Sequence, residues 1–134
     1  MSRLHTLAYT ALRVMAGLVI MQHGLQKLFG MFAPPGNAAP GGAATFGMMW
    51  FVGILETFGG AAVVAGLLTR PIAFLLAGEM AVAYFWRHFP NSFFPIVNRG
   101  EPAVLLCFIF LLLAAAGAGP WSLDGKLGRG TLSR

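Results

Sequence analysis

Long apolar segments with almost no charged residues constrain this chain more than any other feature of its sequence. They lie at about residues 7–29, 46–68, 71–88 and 102–118. A helix needs about 20 mostly apolar residues to cross a hydrocarbon core of about 30 Å, because its backbone polar groups must be bonded within the segment. The sequence therefore predicts an all-α chain, a bundle of four transmembrane helices, whose third and fourth spans are near the lower length limit.

The composition leaves too little polar surface for a water-soluble fold. Of the 134 residues, 57% are hydrophobic and 10% are charged, whereas a soluble domain has about 25% charged residues. A small soluble domain needs many polar residues outside because its surface is large relative to its volume. We therefore expect residues 1–134 to form a single domain with the lipid bilayer as its first partner.

The positive charge does not indicate a nucleic-acid partner. The formal net charge is +5, but the Lys and Arg residues are scattered singly between apolar runs, and no basic patch or motif for phosphate binding is present. Cys107 is the lone cysteine, which excludes a disulfide framework, a CxxC redox pair and a cysteine metal site within this chain. No metal site is predicted.

The distribution of Lys and Arg predicts the orientation in the membrane. An even number of spans places both termini on one side, and the cytoplasmic side of a membrane protein carries more Lys and Arg in its short loops. The terminal side would carry Arg3, Arg70, Lys126, Arg129 and Arg134, and the opposite side Lys27, Arg87 and Arg99. We therefore predict that both termini are cytoplasmic.

The three connections differ in character. Residues 31–44 contain the run PPGNAAPGG, which cannot continue a helix and predicts a flexible external loop. Between the second and third spans, Thr69 as N-cap and Pro71 in the first turn predict a tight antiparallel hairpin. Residues 89–101 combine Pro, Asn and Gly with several Phe residues, which indicates a re-entrant or surface segment at the membrane interface.

Ionisable side chains within spans are expensive and therefore mark candidate functional sites. Counting a rise of 1.5 Å per residue places Arg13 about 9 Å, Glu79 about 12 Å and Glu56 about 15 Å inside their spans. The structural interpretation is that Arg13 pairs with one or both carboxylates. The functional interpretation is that one arginine cannot neutralise both carboxylates. Unless Lys27 or another cation reaches them, one carboxyl should then hold a proton. Such a carboxyl could relay protons or donate a hydrogen bond to a quinone oxygen.

A second polar cluster lies at the outer end of the first span. His23, Gln26 and Lys27 are three and four residues apart and share a helical face. Lys27 alternatively extends toward the headgroups, and His23 alternatively bridges two helices by a hydrogen bond. His88 is expected on the same side of the membrane, where the two histidines could ligate a b-type haem. We do not expect haem, because His88 ends its span beside a Pro-Asn turn.

Short motifs along nearly the whole chain are similar to those of one family. They are HGLQKLFG at 23–30, GILE at 53–56, GG at 59–60, GLLTR at 66–70, GE at 100–101 and SLD at 122–124. In this order and spacing they resemble the DoxX family of small bacterial membrane proteins. The resemblance implies a four-helix, multi-pass protein of the bacterial inner (plasma) membrane. On matching positions, the polar residues typical of the family are Arg13, His23, Lys27, Glu56 and Glu101, and Glu79 has no place in the family pattern.

The resemblance also implies a functional context. Its better understood members are associated with membrane oxidoreductase complexes, including the small subunit of an archaeal thiosulfate:quinone oxidoreductase. The leading hypothesis is therefore a membrane subunit of a quinone-linked oxidoreductase. Arg13, Glu56 and Glu79 would form its polar site, and His23 and Lys27 would guard the outer mouth. Catalysis would need other membrane or redox subunits. The competing hypothesis is a non-catalytic assembly or anchoring subunit, and either could form a homo-oligomer.

Overall fold

The structure is a computed structural model that describes residues 2–32 and 46–128, and over these residues the chain is helical with no strand. The helices are α1 (Arg3–Phe29), α2 (Met48–Ala65), α3 (Thr69–Ala83), α4 (Pro95–Asn98), α5 (Glu101–Ala116) and α6 (Leu123–Lys126). Helix α3 continues into a π-helical turn over Tyr84–His88. The all-α prediction is confirmed. The predicted external loop falls mostly outside the described residues, as do Arg129 and Arg134.

Among the described residues, two helices satisfy the length and hydropathy expected of a membrane span. Helix α1 has 27 residues and α2 has 18, and the mean hydropathy of the most apolar window is 1.5 in α1 and 1.6 in α2. Helix α5 is also apolar but has only 16 residues. Large apolar side chains on the remaining helix faces are exposed, as a lipid-facing surface requires: Phe51, Phe58, Phe74, Leu75, Leu105 and Phe108.

The helices pack as two close pairs. Helix α1 packs along α2, and α3 packs along α5, whereas α2 and α3 contact each other less. Glycines bring α1 and α2 together: a Cβ atom on Gly24 would lie 2.3 Å from Oγ1 of Thr57, and one on Gly60 would lie 2.7 Å from the carbonyl oxygen of Gly17. Small residues of this kind allow close backbone approach between membrane helices.

Fully buried apolar side chains join the two pairs. Ile20 from α1, Leu76 from α3, and Phe110 and Leu113 from α5 are each 0% exposed and belong to one core cluster. This core holds the helices together around the middle of the molecule. The functional groups lie on either side of it, toward the two ends of the helices.

The α2–α3 connection is the predicted tight hairpin, but its cap differs from the prediction. Leu68 precedes α3 in a left-handed conformation, with a φ of 48°, and Thr69 is the first helical residue. The carboxylate of Asp124 accepts hydrogen bonds from the backbone N–H of Leu68 at 3.0 Å and of Thr69 at 2.9 Å. The prediction that Thr69 is the N-cap was wrong, because a distant carboxylate satisfies the free donors that begin α3. We call this end of the molecule the turn end.

The opposite end, the loop end, carries the segment between α3 and α5. Its central residue is Asn98, which is 6% exposed. The Asn98 amide donates to the carbonyl oxygen of Ser92 at 2.7 Å, and its oxygen accepts from the N–H of Gly100, also at 2.7 Å. Around this anchor Phe93, Phe94 and Ile96 are exposed. An apolar surface on a segment between two helices is what the predicted interfacial location requires.

Candidate functional site

A buried ion pair joins α1 to α2 toward the loop end. The ammonium nitrogen of Lys27 lies 2.6 Å from Oε2 and 2.8 Å from Oε1 of Glu56. The Glu56 side chain is 2% exposed and that of Lys27 is 22% exposed. Lys27 therefore extends inward to a carboxylate instead of outward to the headgroups. The sequence left open whether Lys27 reaches one of the two glutamates, and in the structure it reaches Glu56.

Glu79 adds a second carboxyl beside this pair. It lies on α3, faces the same cavity as Glu56, and is near enough for the charges of the two carboxyls to interact. Its Oε2 atom is buried and has no hydrogen-bond partner among the described residues. A buried polar atom without a partner is costly and marks a position where a ligand or water is expected.

A partly open cavity of about 550 Å³ encloses these groups. Side chains of α1, α2, α3 and α5 form its walls, and four of the predicted site residues line it: His23, Lys27, Glu56 and Glu79. Most of the other wall residues are apolar: Ile20, Met48, Met49, Val52, Met80, Val82, Ala83, Trp86, Pro102, Ala103 and Leu106. An apolar cavity with a few convergent polar groups has the general character of a small-molecule site.

Arg13 lies elsewhere, so the predicted pairing of Arg13 with the glutamates was wrong. Its guanidinium donates to the carbonyl oxygens of Ala118 and Trp121, the latter at 2.9 Å, and approaches that of Val64 at 3.5 Å. Val64 is eight residues after Glu56 on α2, which separates the two levels by about 12 Å. Arg13 is 2% exposed and binds backbone carbonyls at the turn end.

The cavity contains cationic residues that sequence reasoning used only for orientation. Arg87 and Arg99 line it at the loop end, and both are exposed. His88 lines it as well, with Nδ1 located 3.0 Å from the carbonyl oxygen of Asn98. Twelve positions separate the two arginines in the sequence, and no periodicity relates them. Only the fold of the segment around Asn98 brings them to one cavity.

Comparison with known proteins identifies the family. The DoxX family model matches residues 8–89, a range that includes Arg13, His23, Lys27, Glu56 and Glu79. An uncharacterized protein of Haemophilus influenzae is 38% identical over 120 residues, covering 86% of this chain and 87% of its own length. An uncharacterized membrane protein of Mycobacterium tuberculosis is 31% identical over 137 residues, covering 88% of this chain and 80% of its own. No solved structure matches. The chain is a membrane protein that belongs to the DoxX family.

Proposed function

We propose that this protein is the membrane subunit of a quinone-linked oxidoreductase complex and that its cavity binds the quinone ring. In this proposal α1, α2, α3 and α5 cross the bacterial inner membrane with both termini in the cytoplasm, so that the loop end faces outward. The observation that carries the proposal is the cavity itself. It combines apolar walls with a buried ion pair and a carboxyl oxygen that lacks a partner.

The size and lining of the cavity suit a quinone. Ligand pockets commonly have volumes of about 300–1,000 Å³, and this one has a volume of about 550 Å³. A quinone ring is flat and apolar on its faces, and it carries carbonyl oxygens that need hydrogen-bond donors. The apolar walls would hold the faces of the ring, and donors from Glu79 and His23 would bind its oxygens.

The charge balance favours a neutral Glu79. The Lys27 ammonium already neutralises the Glu56 carboxylate at 2.6 Å. A second carboxylate in the same low-dielectric cavity would be buried without its own counter-ion, which is strongly unfavourable. Glu79 therefore holds a proton in this proposal, and its hydroxyl donates a hydrogen bond to the quinone.

Reduction of the quinone needs two electrons and two protons. The single cysteine of the chain offers no thiol pair, and in this proposal both electrons come from a redox centre of a partner subunit, which is oxidised in the process. The protons would reach the ring through the Glu79 carboxyl and the His23 imidazole, and with the two electrons they would convert both ring C=O groups into C–OH. Both groups would then recover a proton from the aqueous side.

Quinone retained by the purified protein tests the proposal. Solvent extraction followed by liquid chromatography and mass spectrometry should find quinone bound to the wild-type protein. Glu79→Leu, which removes the donor, should weaken quinone binding by about 2- to 13-fold, the equivalent of one net hydrogen bond, and Glu79→Gln, which retains an N–H donor, should weaken it less. Glu101→Gln is the matched control, because Glu101 is exposed and does not line the cavity. Equal quinone content in all four proteins would refute the proposed site.

One observation favours the competing function. The Lys27–Glu56 pair lies between α1 and α2, as a structural ion pair would in an assembly or anchoring subunit. That function predicts no retained quinone. It also predicts that variants at Lys27 or Glu56 lose co-purifying subunits only in proportion to their loss of stability.

A further inference from the structure

The cavity is lined by residues of two helices, α2 and α3, that are joined by a short connection at one end. Helices α2 and α3 are connected by the tight hairpin at the turn end, where Gly66 and Leu68 adopt left-handed conformations. Beyond the hairpin they contact each other less closely than α1 contacts α2 or α3 contacts α5. The two helices therefore form the sides of a gap that opens away from the hairpin.

The sides of this gap are apolar and partly exposed. Helix α2 contributes Met48 and Met49, which are 64% and 36% exposed, and α3 contributes Val82, which is 47% exposed. Trp86, in the π-helical turn, is 67% exposed and lines the same cavity. In a membrane protein such exposed apolar side chains are in contact with lipid. An opening with this lining admits an apolar molecule and disfavours an ion or a water-soluble one.

The polar groups lie behind this apolar opening. The Lys27–Glu56 pair is formed between α1 and α2, and Glu79 lies one helical turn from Val82 toward the hairpin. Arg87 and Arg99 line the cavity at the loop end, and both are exposed. A path from the lipid into the cavity therefore passes apolar side chains before it reaches the polar ones.

We infer that the ligand reaches the cavity sideways from the bilayer, through the gap between α2 and α3, and that it carries a long apolar tail which remains in this gap. The identity of the ligand as a quinone rests on the proposed function, and the lateral route does not. With the proposed function, the inference specifies the substrate as a membrane-dissolved quinone with a lipid-like tail instead of a water-soluble one.

The route can be tested without any quinone, by chemical labelling of Glu79. A protonated carboxyl adds across one C=N bond of a carbodiimide to give an O-acylisourea, which rearranges to a stable N-acylurea. The whole reagent is retained and no oxidant or leaving group is involved. The full-length protein in phosphatidylcholine nanodiscs is treated between pH 5 and pH 8 with dicyclohexylcarbodiimide, which dissolves in lipid, or with a cationic water-soluble carbodiimide. Peptide mass spectrometry measures the labelling of Glu79, with the exposed Glu101 as internal reference.

Lateral access predicts a clear preference between the two reagents. Relative to Glu101, Glu79 should react at least tenfold more with the lipid-soluble carbodiimide than with the water-soluble one. Val82→Trp places a larger side chain in the gap from α3, and Met49→Trp does so from α2. Each variant should reduce the labelling of Glu79 by the lipid-soluble carbodiimide at least fivefold. Leu75→Trp is the matched control, because Leu75 lies two turns before Val82 on the same face, is 56% exposed and does not line the cavity.

Three outcomes would overturn the lateral route: equal relative labelling by both reagents, no labelling of Glu79 by either, or unchanged labelling in both Trp variants of the gap. The outcome for the proposed function is separate. If Glu79 shows the predicted labelling but the protein binds no quinone, the route stands and the quinone assignment fails. If quinone binds but Glu79 is labelled equally from water, the quinone assignment stands and the lateral route fails.

Discussion

Substitution of Lys27 by Met should reveal the energetic role of the buried ion pair. Met has a similar length but no charge, so the Glu56 carboxylate, with a side chain 2% exposed, is left without its counter-ion. Removal of one partner from a buried pair costs about 3–5 kcal/mol, whereas replacement of both partners by neutral groups is often nearly neutral. We therefore expect Lys27→Met to lower the free energy of unfolding by about 3–5 kcal/mol. The double variant Lys27→Met/Glu56→Gln should recover most of this loss.

Because Glu79 lies nearby, the two single substitutions in the ion pair should destabilise the protein by different amounts. In Glu56→Gln the Lys27 ammonium keeps a carboxyl nearby, because Glu79 lies in the same cavity and can ionise to replace Glu56. In Lys27→Met the arginines that line the cavity do not replace the buried ammonium, since Arg87 and Arg99 are exposed at the loop end. Glu56→Gln should therefore be less destabilising than Lys27→Met.

Equilibrium unfolding in mixed detergent micelles, followed by tryptophan fluorescence, measures these free energies for the wild type, both single variants and the double variant. The four values form a double-mutant cycle whose coupling energy reports the pair directly. The reasoning is refuted if Lys27→Met costs less than about 1 kcal/mol or if the two single effects add in the double variant.

Further substitutions test the packing and the turn end by the same unfolding assay. Gly24→Ala should cost about 1–3 kcal/mol, because its new Cβ atom would lie 2.5 Å from the backbone nitrogen of Thr57. Gly78→Ala, its control, has no atom within 4 Å and should stabilise α3 by about 0.5–1 kcal/mol. Asp124→Asn should cost about 1.5–3 kcal/mol, since the two backbone donors bind different carboxylate oxygens and the amide NH2 group that replaces one of them cannot accept a hydrogen bond. Arg13→Met should cost at least about 2 kcal/mol and should accelerate proteolysis of the carboxyl-terminal segment, because the buried carbonyl oxygens that it binds lose their donor.

Each of these predictions has an outcome that contradicts it. Equal effects of the two glycine substitutions would show that α1 and α2 are not in close contact. An unchanged Asp124→Asn variant would mean that the tail does not cap α3. Arg13→Met with lowered quinone content but full stability would return Arg13 to the binding site.

The helical segments were predictable from the sequence because the length and polarity of an apolar run are local properties. Predicted span 7–29 and the observed α1 both end at residue 29, where Gly30 adopts the left-handed conformation typical of a helix end. The cap of α3 was not predictable, because Asp124 is 55 residues away from Thr69. Local capping rules contain no information about a partner that distant.

Sequence reasoning selected Glu56 and Lys27 and left open whether Lys27 reaches a glutamate. The cost of charges in a membrane marked Glu56 as a side chain that needs an explanation, and the helical spacing from His23 marked Lys27. Counting the rise per residue placed Arg13 near Glu56 in depth, but it ignored the reach of long side chains and the rotation of each helix. Lys27 extends inward by its full length to Glu56, and Arg13 extends the other way to carbonyl oxygens at the turn end.

The cavity depends on how the two helix pairs are placed relative to each other. Its apolar wall residues have no signature that separates them from lipid-facing ones: Leu106 lines the cavity, whereas its neighbour Leu105 is exposed outside it. Their common location depends on the gap between α2 and α3, which is set by the hairpin at one end and by the Asn98 anchor at the other.

Photolabelling with a tailed azidoquinone tests the central claim most directly, since it locates the bound ring on the chain. The protein in native membranes is irradiated with the reagent, with and without excess unmodified quinone, and the labelled peptides are sequenced by mass spectrometry. The account predicts competable labels on α2 between residues 48 and 56 and on α3 and its π-helical turn between residues 79 and 87. Labels confined to the turn end, or labels that excess quinone does not displace, would contradict it.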